Sequence, residues 1–351
     1  MALPEAVDRH IAAMPKAELH LHLDGSVLVD TAIDLARTRG VDAPRDVAGM
    51  RALLIAPPRC IDQADLLRAF DLPIALLQDA EALSRVTEEL VVAKAADGVR
   101  YVEIRWGPLL HVERGLDLAA GIAAVCDGAD RGVETAAAAG GDIVVRLICT
   151  ALRSHDPADN LRLAETAVSF LDRGLVGWDL AGREAEFPDP LAHARAFEAA
   201  RAGGLRITLH AGEWGGATQV RRALALDPER IAHGPGAIDD PALVAELIAR
   251  GVTLDLAPTS NVQAAIVPSL AEHPLVRLHR AGVPVTLSTD DLTVSDVTLS
   301  DEYRRAVEEI GLTLQELWAI DRHALDVAFA DESTLTPIRG SFDTWWLGAE
   351  R

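Results

Sequence analysis

The sequence predicts a (β/α)₈ barrel of the TIM type, carrying a helical insertion after the first strand and a helical C-terminal tail. Two observations carry that prediction: eight short apolar runs recur with helix-like stretches between them, and polar residues capable of chemistry gather where those runs end. A chain of 351 residues also falls within the roughly 200 to 400 residues over which single barrels occur. The runs are, in order, AELHLH at 17–22, RYVEIRW at 100–106, DIVVRLIC at 142–149, LVGWDL at 175–180, LRITLH at 205–210, RIAHG at 230–234, VTLDLA at 252–257 and PVTLST at 284–289. The clearest helix lies at 240–251: Asp240 can cap it, Pro241 suits its first turn, Leu243, Val244, Leu247 and Ile248 form a stripe, and Gly251 ends it. Residues 23–99 form the insertion, in which Leu66, Leu67 and Phe70 offer an apolar flap over the barrel mouth. With no low-complexity linker or charge block to divide it, the chain reads as one domain spanning 1–351.

Composition narrows the partners. The chain is 49% hydrophobic and 25% charged, ordinary proportions for a folded protein. Acidic residues outnumber Lys and Arg by 54 to 33, a net charge of −21 that repels phosphate backbones and anionic lipid, so neither nucleic acid nor membrane is an expected partner. Cys60, Cys126 and Cys149 are scattered without a CxxC spacing, which disfavours a disulfide framework and fits a reducing cytoplasm. The opening stretch carries Glu5 and Asp8 and has no apolar core of the secretory kind. Outer helical faces leave homo-oligomerisation open.

In barrels of this kind the active site lies at the C-terminal ends of the strands. Here those ends hold His20 and His22, Glu103 and Arg105, Asp179, His210, His233, and Asp290 with Asp291. His20 and His22 are two apart on a strand, so both imidazoles face one side and can grip a single ion. With His210 and Asp290 they make three imidazoles and one carboxylate, a set suited to catalytic zinc and also open to iron, cobalt or manganese. The surplus of ionisable groups around them points to catalysis. His233 and Asp291 are candidates to position or deprotonate a water; a backbone-bonded structural histidine is the alternative for His233. Glu213, three residues after His210, reads as a proton donor whose burial raises its pKa, or alternatively as a carboxylate orienting His210. Glu103 and Arg105 read as a buried charge pair beneath the pocket. Trp345 and Trp346 read as packing of the tail, and His155 is a histidine to watch after the third strand.

Together MPKAELHLHLDGS, DLAGRE, HAGE, RIAHG, APTSN and STDD resemble, in order and approximate spacing over nearly the whole chain, the motif set of the adenosine deaminase family within the amidohydrolase superfamily. That resemblance implies one Zn²⁺ per subunit on His20, His22, His210 and Asp290. It implies that Glu213 protonates purine N1 while His233 and Asp291 orient and activate the attacking water. It further implies a substrate site in which Gly182 gives its N–H to purine N3, Asp24 approaches the ribose hydroxyls, and His22 and Asp291 border the bound purine. The implied reaction converts adenosine or 2′-deoxyadenosine to inosine or 2′-deoxyinosine with release of ammonia.

The cytidine-type deaminase signature, H-x-E with P-C-x-x-C, is absent from the sequence. The fourth run ends in Asp179, Leu180, Ala181 and Gly182 without the lysine of binuclear relatives, so one metal is expected. Family members commonly carry Cys-Pro where Ala257 precedes Pro258, and Asp-Asp-Pro where Leu292 follows Asp291. Those departures, with the loops at 151–157 and 292–303, bear on substrate identity. Free adenine, N6-methyl-AMP and 6-aminodeoxyfutalosine are the other 6-aminopurines to weigh, and a nucleoside-binding protein without catalysis is the reading from another class.

Overall fold

The computed structural model describes residues 4–349. Eight parallel strands follow one another around a single sheet: β1 Lys16–His22, β2 Val99–Trp106, β3 Val144–Leu152, β4 Leu175–Ala181, β5 Arg206–His210, β6 Arg230–Ala232, β7 Thr253–Leu256 and β8 Val285–Leu287. The expected (β/α)₈ barrel is therefore the observed one. Its seam closes through the pairing of Leu21 with Asp290, where the His22 N–H donates to the Asp290 carbonyl at 2.7 Å and the Asp290 N–H to the His20 carbonyl at 3.1 Å. Closure thus joins the two segments that carry three of the proposed ion-binding residues.

Strand ends differ from the sequence reading at two places that matter. The sixth strand stops at Ala232 and the eighth at Leu287, so His233 and Asp290 lie just beyond them. Both adopt left-handed backbone, φ 70° and 67°, a costly conformation for residues with a Cβ and one that concentrates at functional sites. The helix expected at 240–251 runs Pro241–Arg250; Asp240 accepts from the N–H groups of Ala242 and Leu243, and Gly251 ends it with φ 65°.

The segment after β1 holds several short helices and then the long helix Ala80–Ala96, which packs on Leu118–Ala138. Close contact there needs glycine: a Cβ on Gly128 would lie 2.3 Å from the Ser84 carbonyl oxygen. Leu66 joins Ala56, Cys60, Ala69, Ala264 and Val294 in a small apolar cluster separate from the main core, with Phe70 and Trp214 against it. That cluster seats the flap on the loops after β5, β7 and β8. The three cysteines are buried and free. At the far end Trp318 stacks on Trp346 at 5.0 Å, so the C-terminal tryptophans pack the tail as expected. No helix among the described residues is long and apolar enough to cross a membrane.

Candidate active site

A cavity of about 440 Å³ opens at the C-terminal ends of the strands. His22, Asp24, Gly182, His210, Glu213, His233, Asp290 and Asp291 all line it, and Leu66, Leu67 and Phe70 form its apolar wall. His20 sits immediately beneath, fully buried. Every site residue expected from sequence is thus gathered in one place. A larger groove of about 910 Å³ lies at the opposite end of the barrel, but it contains no histidine, and Arg173 and Arg206 within it are paired with acidic neighbours.

The imidazoles define a centre. The Nε2 atoms of His20 and His210 are 3.1 Å apart, those of His22 and His210 3.1 Å, and those of His20 and His22 3.3 Å. Asp290 Oδ1 is 2.9 Å from His20 Nε2 and 3.4 Å from His22 Nε2. A tetrahedral ion with metal–nitrogen bonds of ~2.0–2.1 Å has ligand–ligand edges of ~3.3 Å, close to these separations. Burial pushes all three of His20, His22 and His233 down, His22 to about 4 and His233 to about 3, so the rings are neutral near pH 7. The three imidazole edges of His20, His22 and His210, meeting at one point beside a carboxylate, fit a divalent cation. His233 lies close by as well: ligand atoms of His20, His210, His233 and Asp290 all fall within 4.8 Å of one another.

Neighbouring groups fix this arrangement. His210 Nδ1 contacts Asp179 at 3.0 Å, which leaves its Nε2 free to face the centre, and Ser260 Oγ donates to Asp290 Oδ2 at 2.7 Å. Ser26 Oγ donates to the His22 carbonyl at 2.5 Å while accepting from the Leu292 N–H at 3.1 Å. A proline at 292 would remove that second bond, so the departure at Leu292 is used structurally. Asp291 presses so close to Gly25 that a Cβ there would meet its Oδ1 at 1.6 Å.

Two carboxylates stand apart electrostatically. Burial, then the negative charges of Asp290 and Glu184, push Glu213 well above the usual carboxylate range. Burial, then Asp290, Asp24 and Glu213, do the same to Asp291. Both face the cavity, and Asp291 Oδ1 is buried without a partner. Asp24 behaves oppositely: burial would raise it, yet the nearby His111 and His22 hold it below its ordinary value, with His111 Nε2 at 3.5 Å. Its Oδ1 is also unpartnered.

Several contributing residues escape sequence reasoning. Glu184 accepts from the N–H groups of Gly212 at 2.7 Å, Trp214 at 2.9 Å and Gly215 at 2.8 Å, and so holds the loop that presents Glu213. Arg153 donates to the His210 carbonyl at 3.0 Å. Glu184 was visible as the last letter of DLAGRE, but nothing in that motif says which backbone it clamps. In the loop at 151–157, Leu152 and Ser154 reach the cavity, whereas His155 is not among its lining residues. None of residues 292–303 lines it either; Val294 instead backs the flap. The expected Glu103–Arg105 pair is corrected: Glu103 pairs with Arg230, and Arg105 with Asp179 at 3.3 Å. Neighbours two apart on a strand are ~6.6 Å apart along it, and each finds a closer partner across the barrel.

Known proteins share this architecture. The adenosine deaminase family profile matches residues 15–345. The adenosine deaminase of Clostridium perfringens is 36% identical over 322 residues, 91% of this chain and 95% of that protein. The N6-mAMP deaminase of Arabidopsis superposes with a TM-score of 0.83 at 28% identity, covering 96% of this chain and 99% of that one. An amidohydrolase of Burkholderia ambifaria solved with bound Zn superposes with a TM-score of 0.88 at 26% identity, covering 100% of this chain and 95% of that one.

Proposed function

The chain belongs to the adenosine deaminase family, whose members are hydrolases of C–N bonds in cyclic amidines, and from that premise we propose that it deaminates adenosine and 2′-deoxyadenosine to inosine and 2′-deoxyinosine. The observation that carries the reading is the pairing of a cation-ready imidazole cluster with Glu213, a buried carboxyl with a raised pKa facing the same cavity. His20, His22, His210 and Asp290 would hold one Zn²⁺. Such an ion lowers the pKa of water toward ~7 and polarises it for attack.

The side chains supply the proton traffic. Glu213, whose burial favours its protonated form, gives a proton to purine N1 and leaves C6 electrophilic. Water attacks C6, and Asp291, whose carboxylate form the positive charge of the ion would favour, takes the water's proton while His233 orients the oxygen. That proton passes to N6, the C6–N6 bond breaks and ammonia departs. The C6 hydroxyl then returns a proton to Glu213 as the carbonyl forms, so the enzyme ends as it began. Gly182, with φ 108°, presents its N–H toward N3, and the unpartnered Asp24 Oδ1 accepts from a ribose hydroxyl. The flap helps exclude bulk water.

The rim favours a neutral nucleoside. Apart from the catalytic cluster, the charged lining residues are Asp24, Asp71 and Glu186 against Arg183, and Arg183 already pairs with Glu186 at 3.0 Å. A phosphate would meet net negative charge there. The test is ammonia release by zinc-loaded protein from adenosine, 2′-deoxyadenosine, adenine, N6-methyl-AMP and 6-aminodeoxyfutalosine, compared by kcat/KM. Highest values for the two adenosine nucleosides are expected; dominance of another purine would move the specificity, and silence with all of them would end the deaminase reading and favour a nucleoside-binding protein.

A further inference from the structure

His273 lies outside every motif that carries the family resemblance, yet it is buried behind His233, with Asn261 between them. The Leu275 N–H, which can only donate, points at His273 Nδ1 at 3.2 Å. That nitrogen must therefore accept, which places the ring's proton on Nε2, 3.1 Å from Asn261 Oδ1. With its oxygen accepting from His273, Asn261 turns its Nδ2 donor toward His233 Nδ1 at 3.0 Å. His233 Nδ1 is then an acceptor, and its proton sits on Nε2. Flipping the Asn261 amide would set its N–H₂ against the His273 N–H, donor against donor, so the backbone amide fixes the direction of the whole chain.

We propose that His273 is a positioning residue that, acting through Asn261, locks His233 in the Nε2–H tautomer and so makes it a hydrogen-bond donor at the reaction centre. The consequence separates His233 from its neighbours. By distance it could join His20, His210 and Asp290 around an ion. With Nε2 protonated it has no lone pair there, and the same site goes to His22. Its N–H instead faces Asp290 Oδ2 at 3.6 Å and Glu213 Oε1 at 3.9 Å, where it can hold an attacking oxygen by donating to it. Asp291 is left to accept the water's proton. Burial holds His273 down at about 3, so the relay stays neutral and its polarity does not reverse at physiological pH. The part concerning the attacking oxygen rests on the deaminase reading; the tautomer does not.

The test combines spectra and kinetics. Long-range ¹H–¹⁵N spectra of ¹⁵N-histidine-labelled protein, chelator-treated and zinc-loaded, should show His233 as Nε2–H in both. His273→Leu, which fills the space and offers no donor, should release the tautomer and lower kcat by about 10 to 100-fold, with KM and zinc content nearly unchanged. His273→Gln places an amide N–H where Nε2–H was, and should restore both the tautomer and most of the rate. An Nδ1–H His233 in the wild type, or equal losses in the Leu and Gln variants with the tautomer intact, would overturn the relay. If His273→Leu fails to fold, the wild-type and Gln spectra still decide. A protein that turns over no 6-aminopurine would defeat the functional reading alone, because the tautomer is read without turnover.

Discussion

The mouth of the barrel and the layer just below it are built from the same residue types, but they treat charge in opposite ways. Below, Glu103 pairs with Arg230, Arg230 Nε reaches Asp255 at 3.1 Å, and Arg105 reaches Asp179 at 3.3 Å. Glu103 also accepts from the Tyr101 hydroxyl at 2.9 Å. Each of these buried charges faces its opposite. At the mouth, Glu213 and Asp291 face other carboxylates and are pushed toward their protonated forms. The lower layer is consistent with a role in shape, since breaking such a pair costs far more than forming it yields. The upper layer keeps groups whose protonation a substrate can use. Asp179 joins the two, with Arg105 and Thr150 bonded from below and His210 held above.

The sharpest way to break the comparison is Glu213→Gln. It removes the transferable proton and should lower kcat by ~10³-fold while leaving zinc content and melting temperature near wild type, as metal analysis and calorimetry would show. Arg230→Met should do the reverse. It strands Glu103 without its cation, leaves Asp255 only the more distant Arg105 at 4.0 Å, and should cost about 3–5 kcal/mol by denaturant titration, with kcat per folded molecule little changed. At the junction, Asp179→Asn should touch both properties, lowering stability because Arg105 loses its nearest carboxylate, and a competition titration should show zinc affinity falling by about 10 to 100-fold.

The smallest effect sharpens the rule from outside both layers. Burial pushes Asp321 up to about 7, although it accepts from the Ala17 N–H at 2.8 Å and the Tyr303 hydroxyl at 2.7 Å. Because its folded pKa is raised, the folded chain holds a proton the unfolded chain releases, and stability falls as pH rises from ~4 to ~7. The contribution is complete below that window and gone above it. Asp321→Asn carries no titrating proton, so its stability relative to wild type should improve by roughly 1–2 kcal/mol between pH 6 and 8, measured by urea unfolding at both.

Much of the site was legible because strand-end chemistry leaves a linear trace. His20 and His22 share a face through the two-residue period, while HAGE delivers His210 and Glu213, RIAHG His233 and STDD Asp290 and Asp291, each motif from the end of a different strand. The eight strands were legible from their apolar runs. What stayed hidden depends on which strands face each other inside the closed barrel. Glu103 and Arg230 are 127 residues apart and meet only after closure. In the sequence His273 is one histidine among eleven, because the Asn261 amide and the Leu275 N–H that give it meaning are side-chain and backbone directions, which no spacing encodes.

The most direct measurement is the conversion of adenosine by purified protein with zinc content verified, following inosine and ammonia together and running Glu213→Gln alongside. The account predicts equimolar inosine and ammonia from the wild type and almost none from the variant at equal zinc occupancy. Equal rates in the two proteins, or no product from a zinc-replete wild type, would contradict it.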